Sequence, residues 1–241
     1  MKIGFLITCL VDVMRPEIGM SAVKLLEANG CTVEVPMQQT CCGQPGFNSG
    51  DTEAARALAR KFLDEFERFD YVVTPSGSCG GMVRHHYPTL FRDDPDIHNR
   101  IAALASRTWE LTSFLHDVLN IESLPGEFEG EVTYHDSCSG LRELNVQQQP
   151  RALMALNPKI KLTEMRDARA CCGFGGTFAI KYGDVSSAIV DEKIANVQAS
   201  GAKCVVLGDL GCMLNIEGRL RRQGDETTRV LHIAQVLAGD A

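Results

Sequence analysis

Two Cys-Cys-Gly tripeptides, Cys41-Cys42-Gly43 and Cys171-Cys172-Gly173, stand about 130 residues apart in a chain of 241. Each has a lone cysteine thirty-odd residues ahead of it, Cys9 and Cys138, and another a similar distance behind, Cys79 and Cys212. Eight of the ten cysteines thus map onto one another with a nearly constant shift. Buried thiols used as small hydrophobes have no reason to keep such spacing, whereas a duplicated unit does. The flanks repeat too. Lys2–Thr8 and Glu131–Ser137 each run into a first cysteine, and Tyr71–Val73 precedes Cys79 as Cys204–Leu207 precedes Cys212. Phe114–Leu119 resembles His232–Leu237 at a shorter shift, which puts extra residues in the first half between Arg84 and Ser106. The connector Ser123–Gly130 is rich in Pro, Gly and acid residues and marks the boundary, giving halves 1–124 and 125–241.

Within each half, strand and helix signals alternate. Ile3–Thr8 is a short apolar run and reads as a buried strand. Pro16–Asn29 is helical, with Pro near its start and Gly30 at its stop. Thr32–Val35 and Asp70–Thr74 read as strands. Between them Asp51 caps a helix whose apolar residues Ala55, Leu58, Phe62, Phe66 and Phe69 keep the helical period. Val132–His135, Asp184–Ala199 and Cys204–Leu207 echo this order as strand, helix and strand. The pattern predicts an α/β fold: two pseudo-symmetric Rossmann-like halves, each with a mainly parallel sheet and one CCG motif.

A net charge of −7 leaves no basic footprint for nucleic acid, and Arg219, Arg221 and Arg222 read as a solvated helix end. No apolar run reaches the ~18–20 residues that span a bilayer, and Asp12 ends the run from Ile3 without a cleavage pattern. The expected location is cytoplasmic, where disulfides are rare and patterned cysteines point to metal or catalysis.

Every repeated cysteine lies at or just beyond a predicted strand's C-terminal end, the edge where open parallel sheets bind ligands. Each half can therefore offer four thiols to one centre: Cys9, Cys41, Cys42 and Cys79, or Cys138, Cys171, Cys172 and Cys212. Four thiolates suit a [4Fe–4S] cluster or a zinc ion. Adjacent cysteines in a strand would face opposite ways, so each pair must sit in an irregular turn. Gly43 and Gly173 permit the positive φ of such a turn. Backbone N–H groups at Gly175, Gly176 and Gly77–Gly81 are further candidates to donate to cluster sulfurs. A nucleotide loop is excluded, since Phe178 stands where the third glycine of G-x-G-x-x-G would be.

These motifs together resemble the CCG-domain (cysteine-rich domain) iron–sulfur oxidoreductase family, whose signature is a Cys, a spacer of thirty-odd residues, Cys-Cys, a similar spacer and C-x-x-C. Tyr134–Cys138 (YHDSC), Cys171–Phe178 (CCGFGGTF) and Asp209–Ile216 (DLGCMLNI) are similar to its lactate-utilization branch, over nearly the whole chain. The resemblance implies an iron–sulfur electron-transfer subunit, not a complete enzyme alone, in a multi-protein system that oxidises L-lactate to pyruvate. It implies one or two [4Fe–4S] clusters per chain, with zinc as the alternative in the second half. It also implies partner iron–sulfur subunits, and a small 2-hydroxy acid handled at the level of the complex. The first cysteine of C-x-x-C is replaced by Ser76 and by Asp209, so four-thiol sites are expected. Two other readings remain: a zinc-stapled or metal-free interaction scaffold, and a thiol–disulfide protein using the vicinal cysteines.

Among the remaining residues, Cys31 and Cys204 have no repeat partner and are expected in the core. His135 and Asp136 either orient a ligand or act as acid and base near a substrate, or they cap or hydrogen-bond at the strand end. Arg142 can clamp a carboxylate or make a surface ion pair. His85 and His86 are expected in a solvated loop, and so is Asp209, which alternatively offers an oxygen ligand. Trp109 is expected in a core or an interface.

Overall fold

The computed structural model describes all residues, 1–241. Four strands, β1 (Lys2–Phe5), β2 (Thr32–Glu34), β3 (Tyr71–Thr74) and β4 (Thr108–Glu110), form one parallel sheet in the order β2-β1-β3-β4. Four more, β5 (Gly130–His135), β6 (Ile160–Leu162), β7 (Cys204–Leu207) and β8 (Arg229–His232), form a second parallel sheet in the order β6-β5-β7-β8. Every pairing is parallel, so helices must carry the chain back between strands. The chain is thus α/β, with the same topology twice.

Local chemistry sets the elements. Pro16 opens the helix Pro16–Ala28, and Gly30 turns beyond its end at φ 78. Asp51 caps Thr52–Phe66 by accepting from the Ala54 amide at 3.0 Å. The first strand stops at Phe5, short of the expected Thr8: Leu6 keeps one bond to the sheet, its amide to the Val73 carbonyl at 2.9 Å, before the chain turns at Thr8. The additional residues of the first half make the crossover to β4, including the helix Pro95–Ser106. His85 and His86 lie in a wide helical turn, Met82–His86, instead of a loop. The His86 ring packs on Phe47 at 4.8 Å and faces Glu143 Oε1 at 3.4 Å.

The first sheet has a different core on each face. Ile3, Phe5 and Val73 join a cluster of 38 buried residues that runs on through the second half. Leu6 and Val72 join a separate cluster of 16 with Phe62, Phe66 and Leu104, all in the first half. The halves therefore share their larger core, and burial there stabilises both together. The helix Pro16–Ala28 packs on the C-terminal helix Ile233–Ala238, where Lys24 Nζ donates to the Ala238 carbonyl at 2.8 Å. The equivalent pair, Leu111–Val118 against Gln148–Ala155, repeats the contact by pseudo-symmetry. Gly77 and Gly140 meet where the halves approach most closely: a Cβ on Gly77 would lie 2.8 Å from the Gly140 backbone. No helix is long and apolar enough to cross a membrane.

Candidate metal centre

In a sheet ordered β2-β1-β3-β4 the connections leave β1 and β3 in opposite directions, which opens a crevice at their C-terminal ends. Cys9 opens the helix after β1, Cys79 lies in the helix Gly77–Gly81 after β3, and Cys41-Cys42 sit in the irregular chain after β2. All four come together. Cys9 and Cys41 sulfurs are 3.7 Å apart, and those of Cys42 and Cys79 are 3.4 Å apart. The second half repeats the arrangement with Cys138 opening a helix after β5, Cys171-Cys172 after β6 and Cys212 after β7. All ten cysteines are free thiols.

The vicinal pairs are held in the turn that the glycines allow. Gly43 has φ 80 and Gly173 φ 84. Their amides donate to the sulfur two residues back, Gly43 to Cys41 at 3.4 Å and Gly173 to Cys171 at 3.3 Å. The two turns differ in tolerance. A Cβ on Gly43 would touch Leu58 at 3.4 Å, whereas one on Gly173 would strike the Ser186 carbonyl at 2.6 Å. Residues without a sequence signal fix the second cysteine of each pair: Tyr87 donates to the Cys42 carbonyl and Asn215 to the Cys172 carbonyl, both at 2.8 Å. Gly175 and Gly176 line the cavity beside the second thiol set. Gly77, Gly80 and Gly81 instead form a helix packed on Gly140, Leu144 and Glu143, so their lack of side chains serves the contact between halves.

In each set one sulfur, Cys41 or Cys171, accepts from two thiols, and Cys79 and Cys212 each accept from one. Bonds from Cys42 and then Cys9 hold the Cys41 thiol far below its ordinary range. Bonds from Cys138 and then Cys172 do the same for Cys171. The donors shift the opposite way, Cys9 and Cys138 first through those bonds and then through burial. A clustered set that favours one thiolate has the chemistry of a metal ligand set, since the thiolate is the ligand form.

Beyond the thiols the halves diverge. His135 ends β5 fully buried, where the first half has Leu6, also fully buried. Neither ring nitrogen of His135 has a hydrogen-bond partner. Its ligand atom and the sulfurs of Cys172 and Cys212 all lie within 4.8 Å of one another. Burial, and then the Lys193 ammonium, push its pKa down to about 3, so the ring is neutral. Lys193 is itself buried, with Nζ donating to the carbonyls of Asp167 at 2.6 Å and Ala168 at 3.3 Å. Asp136 is buried and gripped by Arg151 through two bonds of 2.8 and 3.0 Å. Arg142 is exposed and pairs with no acid. Asp209 is no solvated loop acid: it is buried and caps Leu210–Arg222 through the Gly211 amide at 3.1 Å. Its other oxygen crosses to the first half and accepts from Ser76 Oγ at 3.0 Å and the Ser78 amide at 2.9 Å. Sequence reading missed this link because Ser76 and Asp209 occupy equivalent positions and meet only across the pseudo-symmetry axis.

A second cross-link joins the end of β8 to the residue after β3. His232 Nδ1 accepts from the Ala234 amide at 3.1 Å, which leaves Nε2–H to donate to the Pro75 carbonyl at 2.9 Å. Burial lowers its pKa to about 4. Its counterpart at the end of β4 is Glu110, also buried, whose pKa burial raises to about 7 against hydrogen bonds from Thr112 and Ser113. Cys31 and Cys204 are buried in the shared core, and Trp109 in β4 lies under Arg84, 5.2 Å from the ring centre.

Two cavities open on the thiols. One of about 460 Å³ is bounded by Cys9, Cys41, Cys42 and Cys79 together with Phe174 and Ile180, and one of about 290 Å³ by Cys138, Cys171, Cys172 and Cys212 with His86 and Phe174. Phe174, Asp209 and Ser78 line both.

The cysteine-rich domain family model (CCG) matches this chain twice, over residues 3–84 and 132–217. Lactate utilization protein A of Geobacillus kaustophilus is 44% identical over 98% of this chain and 98% of its own length. Lactate utilization protein A 2 of Bacillus cereus is 41% identical over 99% and 98%. Lactate utilization protein A of Bacillus pumilus is 42% identical over 98% and 99%. A crystal structure of a hypothetical protein from Helicobacter pylori superposes on the whole chain with a TM-score of 0.71 at 11% identity, using 49% of that protein, and shares the fold. With two copies of the CCG unit and full-length relatives of this similarity, the chain belongs to the cysteine-rich domain family, alongside the lactate utilization A proteins.

Proposed function

We propose that this chain is an iron–sulfur electron-transfer subunit of a multi-protein system that oxidises L-lactate to pyruvate. Its eight repeated cysteines would hold the metal: Cys9, Cys41, Cys42 and Cys79 in the first half, Cys138, Cys171, Cys172 and Cys212 in the second. The observation that carries this reading is the meeting of four free thiols at each sheet's C-terminal edge, one of them already favoured as thiolate. The donor set is soft and sulfur-only in the first half, which fits a [4Fe–4S] cluster. Such a cluster, when bound, supplies one-electron acceptance and release. The residues do the rest. The amides of Gly43 and Gly173 donate to ligand sulfurs and so favour their anionic form. Tyr87 and Asn215 lock the orientation of the pairs. Phe174 and Asp209 line both cavities. The lactate assignment rests on the names of relatives that match end to end. It agrees with a subunit that works with partner iron–sulfur proteins in the cytoplasm.

Zinc in the second half is the alternative, and one observation favours it there: a neutral imidazole beside two thiols is an ordinary zinc donor set. Anaerobic purification with iron, sulfide and zinc analysis and EPR tests both. Broad absorption that bleaches with dithionite, and loss of iron in Cys41→Ser, are expected. A colourless anaerobic preparation with full zinc in both halves would overturn the iron–sulfur reading.

A further inference from the structure

The second thiol set contains an atom the first lacks. Where β1 continues into Leu6, β5 ends in His135, and both side chains are completely buried. Leu6 needs no partner. An imidazole does, because a buried polar group left unpaired has lost its hydration with nothing in return. Both nitrogens of His135 are unpaired. The Ala168 carbonyl beside the ring already accepts from the Asp136 amide at 3.2 Å and from Lys193. The ring's other neighbours are sulfurs: Cys172 and Cys212 lie with it in one 4.8 Å group, and all three residues are buried. A buried imidazole and two thiols converging without solvent have one common use, to share a metal ion.

We propose that His135 is a nitrogen ligand of the metal held in the second half, beside Cys172 and Cys212, so that the chain carries one all-sulfur site and one mixed nitrogen–sulfur site. This rests on the reading that the thiols hold metal. Lys193, donating to the carbonyls of Asp167 and Ala168, fixes the segment beside the ring. The first half, with Leu6 and with Phe62 at the place of Lys193, repeats none of this.

The test uses full-length protein purified anaerobically. In Cys41→Ser the first site is disabled, so the remaining metal reports on the second. Labelling with 15N-histidine and pulsed EPR reads a nitrogen bound to an iron cluster, and X-ray absorption reads an imidazole bound to zinc. The expected result is one histidine nitrogen at the metal, retained in His86→Gln, which lines the same cavity, and lost in His135→Leu. His135→Leu copies the first half's residue and is expected to release second-site metal to a chelator at least tenfold faster. The label needs no His135 variant, so a misfolded variant leaves the test intact. Second-site metal without a histidine nitrogen would overturn the ligand assignment while leaving the metal reading standing. No second-site metal in anaerobic wild-type protein would overturn both.

Discussion

The two halves share strand order, crevice and cysteine spacing, yet they surround those cysteines with opposite chemistry. In the first half the neighbours are apolar: Leu6 before the turn, Phe62 on the covering helix, and an exposed Cys9 next to the exposed Leu10 and Val13. In the second they are polar and deeper: His135, Lys193 and a fully buried Cys212. Even the approach to the first cysteine differs. Thr8 sits at φ 58, a strained conformation for a β-branched residue that costs about 1–3 kcal/mol, while Ser137 is relaxed at φ −64. Duplication kept the positions that shape the turn and let the positions around it diverge. One scaffold can thereby hold two centres of different accessibility and electronic character.

The sharpest way to break this comparison is to remove one centre at a time. Cys41→Ser is expected to abolish metal in the first half and Cys171→Ser in the second, each leaving about half of the wild-type content by elemental analysis under argon. Equal loss of everything from either change would show that the sites form a single unit.

Next in size is the contrast at the ends of β4 and β8. Glu110 has a folded pKa raised to about 7 from 4.5, so its contribution is fully present below pH 4.5 and is lost as pH rises through 7. The loss is about 3 kcal/mol, taking ~1.4 kcal/mol for each pH unit. His232 has a folded pKa lowered to about 4 from 6.5, so its contribution is present above 6.5 and lost as pH falls through 4. Denaturant unfolding across pH 4–8 is expected to lose its high-pH decline in Glu110→Gln and to keep it in His232→Gln. An unchanged slope in Glu110→Gln would mean that the carboxyl is ionised in the fold.

Asp209→Asn turns an NH2 group either toward Ser76 Oγ and the Ser78 amide or toward the Gly211 amide, and is expected to cost about 2 kcal/mol. At the equivalent position, Ser76→Ala removes the hydroxyl's bonds to Asp209 Oδ2 and to Ser78 Oγ, and is expected to cost about 1 kcal/mol in the same assay. The last contrast separates the two glycines. Gly43→Ala meets an ordinary contact and only the positive-φ penalty of about 1–2 kcal/mol, whereas Gly173→Ala adds a clash with the Ser186 carbonyl. Thermal melting should therefore drop further for Gly173→Ala, and equal shifts would refute the asymmetry.

Much of this was legible in the residues. The spacing of eight cysteines declared the duplication, and helical periodicity and caps placed Pro16–Ala28, Thr52–Phe66 and Gly183–Ala199 within a few residues. The glycine after each pair announced a positive φ because few other residues adopt it cheaply. The sequence also named His135, but as a ligand-orienting, acid–base or strand-end group without choosing among them, since nothing local says what a buried imidazole faces.

What the sequence by itself determined, then, was the repeated unit, its alternation of strand and helix, and the turn that points two adjacent thiols one way. These depend on neighbours a few residues apart. Only the tertiary structure decided which sulfurs meet, that Asp209 reaches Ser76 across the halves, that His232 holds the Pro75 carbonyl, and that His135 is stranded beside Cys172 and Cys212. Those contacts join residues far apart in the chain, and they form where two copies of one topology pack over a common core. The doubled Cys-Cys-Gly is written twice alike, and the packing around it makes the two copies different.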